Sequence, residues 1–283
     1  MFGLLGLALS VLLVQPADAL QVGASIPPQK DFIERIGGER VSVTVMVKPG
    51  HSPETYEPKP TQLVTLSKID AYFALGVPFE NSWLRRLRGA NPNLLVVDTS
   101  EGVPRLEAST SHEHHDCTHH NETLDPHIWL SPSRVKIQAR NICAALSRLD
   151  PDFSDTYEDN LRRFLAELDD LDREIRAALE PLPNRLLMVF HPAWGYFADD
   201  YDLEMITVQV GGQEPSAAEL GRLIRRAREE QIDTLFVQPE FSTRAAEFLA
   251  RESGSRIVAV SPLAEDWLEN LRRMARELGA RQP

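Results

Sequence analysis

Histidine is the residue type in this sequence whose number and spacing could do chemistry. Six of the eight histidines lie between Ser111 and Pro132, in the segment SHEHHDCTHHNETLDPHIWLSP. The other two, His51 and His191, lie far away in the sequence. Neutral imidazole is a common nitrogen ligand of transition metals in proteins. We therefore interpret all eight histidines as serving one purpose, the handling of a transition metal.

The histidine-rich segment has two halves of different character. The first half contains five histidines, acidic residues and Cys117, and no apolar residue that could anchor it. This composition predicts a metal-attracting loop at 109–123. The second half, DPHIWL, is apolar and contains only His127. Ser131 and Pro132 then predict a helix N-cap and first turn, so His127 should be held directly ahead of a helix.

Alternating strands and helices must position these histidines. The first half of the mature chain predicts strands at Gln21–Ile26, Val41–Val47, Ile69–Leu75 and Leu94–Asp98. The second half predicts strands at Leu186–Phe190, Met205–Gln209, Thr234–Val237 and Ile257–Val260. This alternation predicts an α/β fold of two lobes, each a parallel four-stranded sheet with helices on both faces.

The longest helical pattern of the chain lies between the two lobes. Apolar residues recur at three- and four-residue spacing from Phe153 to Ala178, and Asp150 with Pro151 predicts the helix start. We predict one linker helix at 151–181, although a coiled coil would show the same stripe. The predicted organisation is a signal peptide at 1–19, an N-terminal lobe at 20–150, this helix, and a C-terminal lobe at 182–283.

The N-terminus predicts export. Phe2–Val14 is an apolar run too short to span a bilayer, and residues 17–19 offer a cleavage site of small residues. No cysteine follows the cut directly, so a lipid anchor is not indicated and we expect a periplasmic protein. There, Cys117 and Cys143 either form a disulfide or leave Cys117 free or metal-binding.

The net charge of −12 bears on the partners of the chain. It argues against a nucleic-acid surface and suits a protein that meets cations. The same acidity would equally serve to keep any protein in solution.

Several polar residues follow predicted strands. His51, His127, His191, Glu240 and Ser261 each lie just after a strand or after the loop that leaves it. Ligands of parallel sheets bind at the carboxyl ends of the strands, so we expect these five residues to face one cleft. Three histidines and one oxygen ligand would satisfy the tetrahedral preference of zinc.

Other residues near the predicted cleft have ordinary structural interpretations. We expect four aromatic side chains to pack as core around the cleft: Trp129, Trp194, Tyr196 and Phe197. We expect three acidic residues to form a solvated turn: Asp199, Asp200 and Asp202.

Several blocks of the sequence resemble the zinc- and manganese-binding solute-binding proteins of bacterial ABC importers. They are PGHSPETYEPKP at 49–60, DPHIWLSP at 125–132, FHPAWGYFADDY at 190–201, FVQPEFS at 236–242 and PLAEDWLENL at 262–271. The resemblance implies two lobes joined by one long helix, a metal between them, and delivery to a membrane permease powered by an ATPase. The loop at 109–123 is similar to those of the zinc-binding members.

The resemblance also implies ligands. His127 matches the second histidine ligand of the family, and His191 matches the third, which is histidine in zinc-type and glutamate in manganese-type members. The first ligand is either His51, in a GHSP motif shared with some relatives, or Glu54, which stands where many relatives have histidine. We favour His51, because an imidazole matches the other two ligands.

The resemblance leaves the fourth ligand open. Some members have an aspartate where this chain has Ser261, so Glu240 or a water molecule should complete the site. We therefore expect a monomeric carrier of Zn²⁺, or alternatively of Mn²⁺, that serves a permease. A metallohydrolase is not expected, because nothing resembles the HExxH motif. A periplasmic metal buffer or adhesin is the alternative from another functional class.

Overall fold

The computed structural model describes residues 19–108, 124–209, 213–240 and 244–280, and forms two parallel four-stranded sheets. The strands of the N-terminal sheet are β1 (Leu20–Ala24), β2 (Val41–Val45), β3 (Ala71–Ala74) and β4 (Leu95–Asp98). Those of the C-terminal sheet are β5 (Leu186–Val189), β6 (Glu204–Thr207), β7 (Thr234–Val237) and β8 (Arg256–Ala259). The orders β2-β1-β3-β4 and β6-β5-β7-β8 are equivalent. The predicted α/β class with two lobes is confirmed.

Helices connect the strands and cover the sheets. They are α1 (Pro27–Gly37), α2 (Pro60–Leu66), α3 (Glu80–Ala90), α4 (Pro132–Leu149), α5 (Ser154–Leu179), α6 (Gly195–Asp200), α7 (Ala217–Glu229), α8 (Arg244–Ser253) and α9 (Trp267–Gly279). In the N-terminal sheet the direction of strand addition reverses at β1. Because parallel crossovers are right-handed, this reversal directs α1 and α3 to opposite faces.

Two helices begin at a serine whose side chain caps the first turn. At the start of α4 the Ser131 hydroxyl accepts a hydrogen bond of 3.2 Å from the backbone N–H of Arg134. At the start of α7 the Ser216 hydroxyl accepts from the N–H of Glu219, and the Glu219 carboxylate accepts from the N–H of Ser216. Each bond satisfies a backbone donor that has no partner within its helix. The helix start predicted at Ser131 and Pro132 is confirmed.

The linker helix α5 begins later than the sequence predicts. Asp150 opens a 3₁₀ turn at Pro151–Phe153, and the α-helix starts at Ser154. The Asp150 carboxylate does not cap α5, because it binds the Arg40 guanidinium at 2.8 Å and the Tyr157 hydroxyl at 2.9 Å. The 26 residues of α5 span about 39 Å at 1.5 Å per residue. The helix packs against α1, α4 and α9, which ties both lobes to it.

The larger apolar core among the described residues runs through both lobes. It includes Phe32 of the N-terminal lobe, Phe164 of α5, and Trp267 of the C-terminal lobe. The rings of Phe32 and Trp267 pack edge-on with centroids 5.0 Å apart. A second cluster fills the space between the C-terminal sheet, α7 and α8. All four aromatic residues predicted around the cleft are buried, as expected.

The acidic residues after Phe197 differ from their predicted role. Asp199 and Asp200 end α6 and bind Arg134 of α4, at 2.7 Å and 2.6 Å respectively. The Asp200 side chain is only 10% exposed. The prediction of a solvated turn is therefore wrong for Asp200, which a buried arginine from the other lobe holds. Asp199 binds the same arginine at the end of α6, but its side chain is 50% exposed. Asp202 is exposed, with φ of 51°.

Candidate metal centre

Three side chains from three separate segments meet between the lobes. Glu54 lies in the loop between β2 and α2, and His127 lies in the segment just ahead of α4. His191 is the second residue after β5. Glu54 Oε1 lies 3.6 Å from His127 Nε2 and 3.3 Å from His191 Nε2. Within the described ranges these residues form the group of three whose ligand atoms all lie within 4.8 Å of one another.

Each histidine is oriented by an oxygen beside its other ring nitrogen. His127 Nδ1 lies 2.7 Å from the Asp125 carboxylate, which also accepts the His127 backbone N–H at 2.8 Å. His191 Nδ1 lies 3.0 Å from the side-chain oxygen of Gln209. An oxygen acceptor at Nδ1 requires the proton of a neutral ring to be there. Both Nε2 lone pairs are therefore available for a metal, as in histidine ligands generally.

The carboxylate of Glu54 suits a cation. Burial alone would raise its pKa, but the neighbouring His191 and His127 imidazoles outweigh burial and lower the pKa. The group is therefore ionised at neutral pH. An ionised carboxylate facing two Nε2 atoms creates a cluster of electron pairs that a proton or a divalent cation can bridge.

Glu240 lines the same small cavity as the two histidines. The cavity has a volume of about 10 Å³, which is room for about one water-sized particle. Glu240 Oε1 accepts a hydrogen bond of 2.6 Å from the Ser261 hydroxyl. Its Oε2 atom is buried and has no hydrogen-bond partner among the described residues. A buried carboxylate oxygen without a partner is costly, so a cation in the cavity would satisfy it.

His51 is exposed and does not belong to the group formed by Glu54, His127 and His191. Its Nδ1 atom lies 3.3 Å from the backbone oxygen of Pro49, and its ring packs edge-on against Tyr56. The structure thus brings together His127 and His191 with Glu54, the alternative first residue. Ser261 contacts the site through Glu240, to which its hydroxyl donates a hydrogen bond.

Asp125 and Gln209 are the residues of the site that sequence reasoning missed. Asp125 stood in the quoted DPHIW block, and its spacing of two residues from His127 is the signal that could have identified it. Gln209 follows β6, the neighbour of β5 in the sheet. The sequence could therefore have predicted that Gln209 lies at the same sheet edge as His191. Both place a side-chain oxygen beside the Nδ1 atom of a histidine that sequence analysis identified.

Several sequence predictions fall outside the described residues. These are the histidine-rich loop at 109–123 with Cys117, and the signal peptide apart from Ala19. In the ranges that are described, we find no helix with the length and apolar character needed to cross a membrane.

Comparisons with known proteins agree with this architecture. A family model described as zinc-uptake complex component A, periplasmic, matches residues 22–280. The high-affinity zinc uptake system protein ZnuA of Bacillus subtilis (strain 168) is 28% identical over 255 residues, which cover 87% of this chain and 79% of the relative.

Solved structures agree as well. A crystal structure of a ZnuA matches with a TM-score of 0.86 at 45% identity, covering 93% of this chain and 98% of the other. A ZnuA deletion mutant with zinc bound has the same TM-score and identity, covering 94% and 100%. Proteins of this kind are solute-binding components of transport systems and not enzymes. The chain belongs to the family of the periplasmic zinc-uptake complex component A.

Proposed function

We propose that this chain captures Zn²⁺ between its two lobes and delivers it to the membrane permease of an ABC importer. The observation that carries the proposal is the convergence of the Glu54 carboxylate with the Nε2 atoms of His127 and His191. The zinc-uptake name of the Bacillus relative and the zinc bound to the ZnuA deletion mutant support zinc as the metal. We further propose that the protein acts in the periplasm as a monomer, after removal of its signal peptide.

The proposed ligands are Glu54, His127, His191 and Glu240. The position of Glu54 and the exposure of His51 support Glu54 as the first ligand, in place of the histidine that sequence analysis favoured. The buried, unpartnered Oε2 of Glu240 supports this residue as the fourth ligand, with a water molecule as the alternative. Two imidazoles and two carboxylates can give zinc its four-coordinate geometry.

Manganese is the second candidate metal, and Glu54 is the observation that favours it. Replacing an imidazole by a carboxylate makes the ligand set harder, and hard oxygen ligands suit Mn²⁺. Zinc remains the first choice, because two nitrogen ligands favour it in the Irving–Williams order.

Calorimetric titration tests the proposed cargo. The full chain, stripped of metal by a chelator, is titrated with Zn²⁺ and separately with Mn²⁺. We expect one tight zinc site, weaker additional zinc on the loop at 109–123, and weaker binding of manganese. Tighter binding of manganese would make the protein a manganese carrier, and absence of a tight site for either metal would refute the carrier function.

Delivery to a permease is tested in cells under zinc depletion. Loss of the chain should reduce zinc uptake as much as loss of the permease, and loss of both should reduce it no further. A periplasmic buffer or adhesin would instead give effects that are independent of the permease.

A further inference from the structure

Tyr196 connects the two lobes next to the candidate metal centre. It lies on α6, the helix that follows His191, and is fully buried. Its hydroxyl donates to the backbone oxygen of Asp125 at 2.8 Å and accepts from the backbone N–H of Leu106 at 3.0 Å. Both partners belong to the N-terminal lobe. A C-terminal-lobe side chain is thus hydrogen-bonded on both sides by N-terminal-lobe backbone.

Asp125 connects the Tyr196 hydroxyl to His127, a candidate ligand. The Tyr196 hydroxyl holds the backbone of Asp125, while the Asp125 carboxylate holds both the ring and the backbone N–H of His127. The other carboxylate oxygen lies against Gly195, where an added Cβ would approach it to 3.0 Å. The orientation of His127 therefore depends on the position of α6.

Arg134 fixes α6 from the other side. Its side chain is 9% exposed, and its guanidinium lies over the Tyr196 ring, 4.6 Å from the centroid. The same guanidinium binds Asp199 at 2.7 Å and Asp200 at 2.6 Å, both at the end of α6. Charge-assisted hydrogen bonds of this kind hold their partners in one geometry. The helix after His191 and the segment around His127 thus form one unit across the lobe boundary.

We propose that Tyr196 is a positioning residue, which sets the separation of the His127 and His191 imidazoles for a metal ion. This role rests on the proposed metal-binding function. Without the hydroxyl, the backbone oxygen of Asp125 keeps, among the described residues, only its contact with Arg105 at 3.3 Å, and the backbone N–H of Leu106 loses its acceptor. The chain retains its packing around the Tyr196 ring, but the two imidazoles are no longer held to one spacing.

The variant Tyr196→Phe removes the hydroxyl and keeps the ring. Its zinc affinity is measured by competition with a chromophoric chelator, and its coordination geometry by the visible absorption of bound Co²⁺. We expect zinc affinity to fall about 10-fold, the lower end for loss of a group that supports a ligand. We also expect the Co²⁺ bands to shift, because they report the ligand geometry. A purely structural role would not move these bands.

Tyr157→Phe is the matched control. Tyr157 is equally buried and donates a hydrogen bond of 2.9 Å to Asp150, but it lies on α5. We expect wild-type zinc affinity and a wild-type Co²⁺ spectrum from this variant. If both variants lose affinity and shift the spectrum equally, or if Tyr196→Phe changes neither quantity, the positioning role is overturned.

If Tyr196→Phe does not fold, a milder variant provides the test. Asp199→Asn weakens the Arg134 contact at a side chain that is 50% exposed. A shifted Co²⁺ spectrum would support the role of the α6 contacts, and an unchanged spectrum would overturn it. Failure of the unmodified chain to bind either metal would refute the proposed function itself, and with it this role.

Discussion

The two halves of the candidate metal centre are built differently. His127 and His191 are buried, at 5% and 4% exposure, and each has an oxygen acceptor behind its ring. The Glu54 side chain is 32% exposed and lies on a loop without helix or strand. One half is therefore fixed before a metal arrives, and the other can adjust. Preorganised ligands favour affinity, whereas an exposed ligand gives the ion a way in and out.

The bonds around Glu54 show the same contrast. The Glu54 backbone N–H donates to the Ser52 hydroxyl at 3.2 Å, a contact within the loop itself. The loop is connected to α2 further on, where the Tyr56 hydroxyl donates to Gln62 at 2.9 Å. Loops of this kind open at lower free energy than packed elements. The loop that carries Glu54 is thus held by its own contacts and by α2, whereas His127 and His191 are held by buried side chains behind their rings.

The largest expected effect comes from the fixed half. Replacing His127 or His191 by alanine should weaken zinc binding about 100- to 1,000-fold, because a zinc site of about 10–16 kcal/mol shared by four ligands gives about 2.5–4 kcal/mol for each. Titration with a competing chelator measures the loss, and circular dichroism checks that the fold persists. Full affinity in either variant would contradict the assignment of that histidine.

The slope of zinc affinity against pH reports how many histidines bind the metal. The pKa of Glu54 is lowered, so this carboxylate stays ionised to a lower pH than an ordinary glutamate, whereas an imidazole coordinates a metal only while it is neutral. As the pH falls, zinc affinity should therefore decrease with a limiting slope of about 100-fold per pH unit, which corresponds to two protons. A limiting slope of three protons would instead add His51 to the ligand set.

The groups behind the rings should matter unequally. Asp125→Asn should weaken zinc binding about 10- to 100-fold, which is typical for loss of a carboxylate behind a ligating histidine. Gln209→Ala should weaken zinc binding less than Asp125→Asn does, because a neutral amide polarises the ring less than a carboxylate does. Competition titrations of both variants under one buffer condition make the comparison. Equal losses would mean that both groups act only by orienting their rings.

The smallest effect is expected at His51. Its side chain is exposed and its contacts are to Pro49 and Tyr56. His51→Ala should therefore change zinc affinity by less than about 3-fold, in line with other exposed substitutions. Glu54→Ala is the comparison variant in the same loop and should lose considerably more. The reverse order would restore His51 as the first ligand.

The sequence predicted the regular elements well, because local side-chain patterns determine them. The cap at Ser131 is an example, since it involves two residues that are three apart. His127 and His191 were also found, because the carboxyl ends of parallel strands converge in any fold of this class.

What sequence reasoning missed depends on distant partners. The loop between β2 and α2 has no period, so nothing local decides whether His51 or Glu54 turns inward. Asp199 and Asp200 looked like a solvated turn because their partner, Arg134, lies about 65 residues earlier in the chain. Asp150 likewise forms an ion pair with the distant Arg40, which no helix-capping rule predicts.

The packing of α9 has a consequence for the order in which the molecule can assemble. Trp267 packs against Phe32 and donates its indole N–H to the backbone oxygen of Trp129 at 2.7 Å. In return, the Trp129 indole N–H donates to the backbone oxygen of Pro262. The N-terminal lobe therefore cannot complete its interior until α9 has been synthesised. We expect a nascent chain that lacks α9 to remain partly open, with the segment next to His127 unfinished.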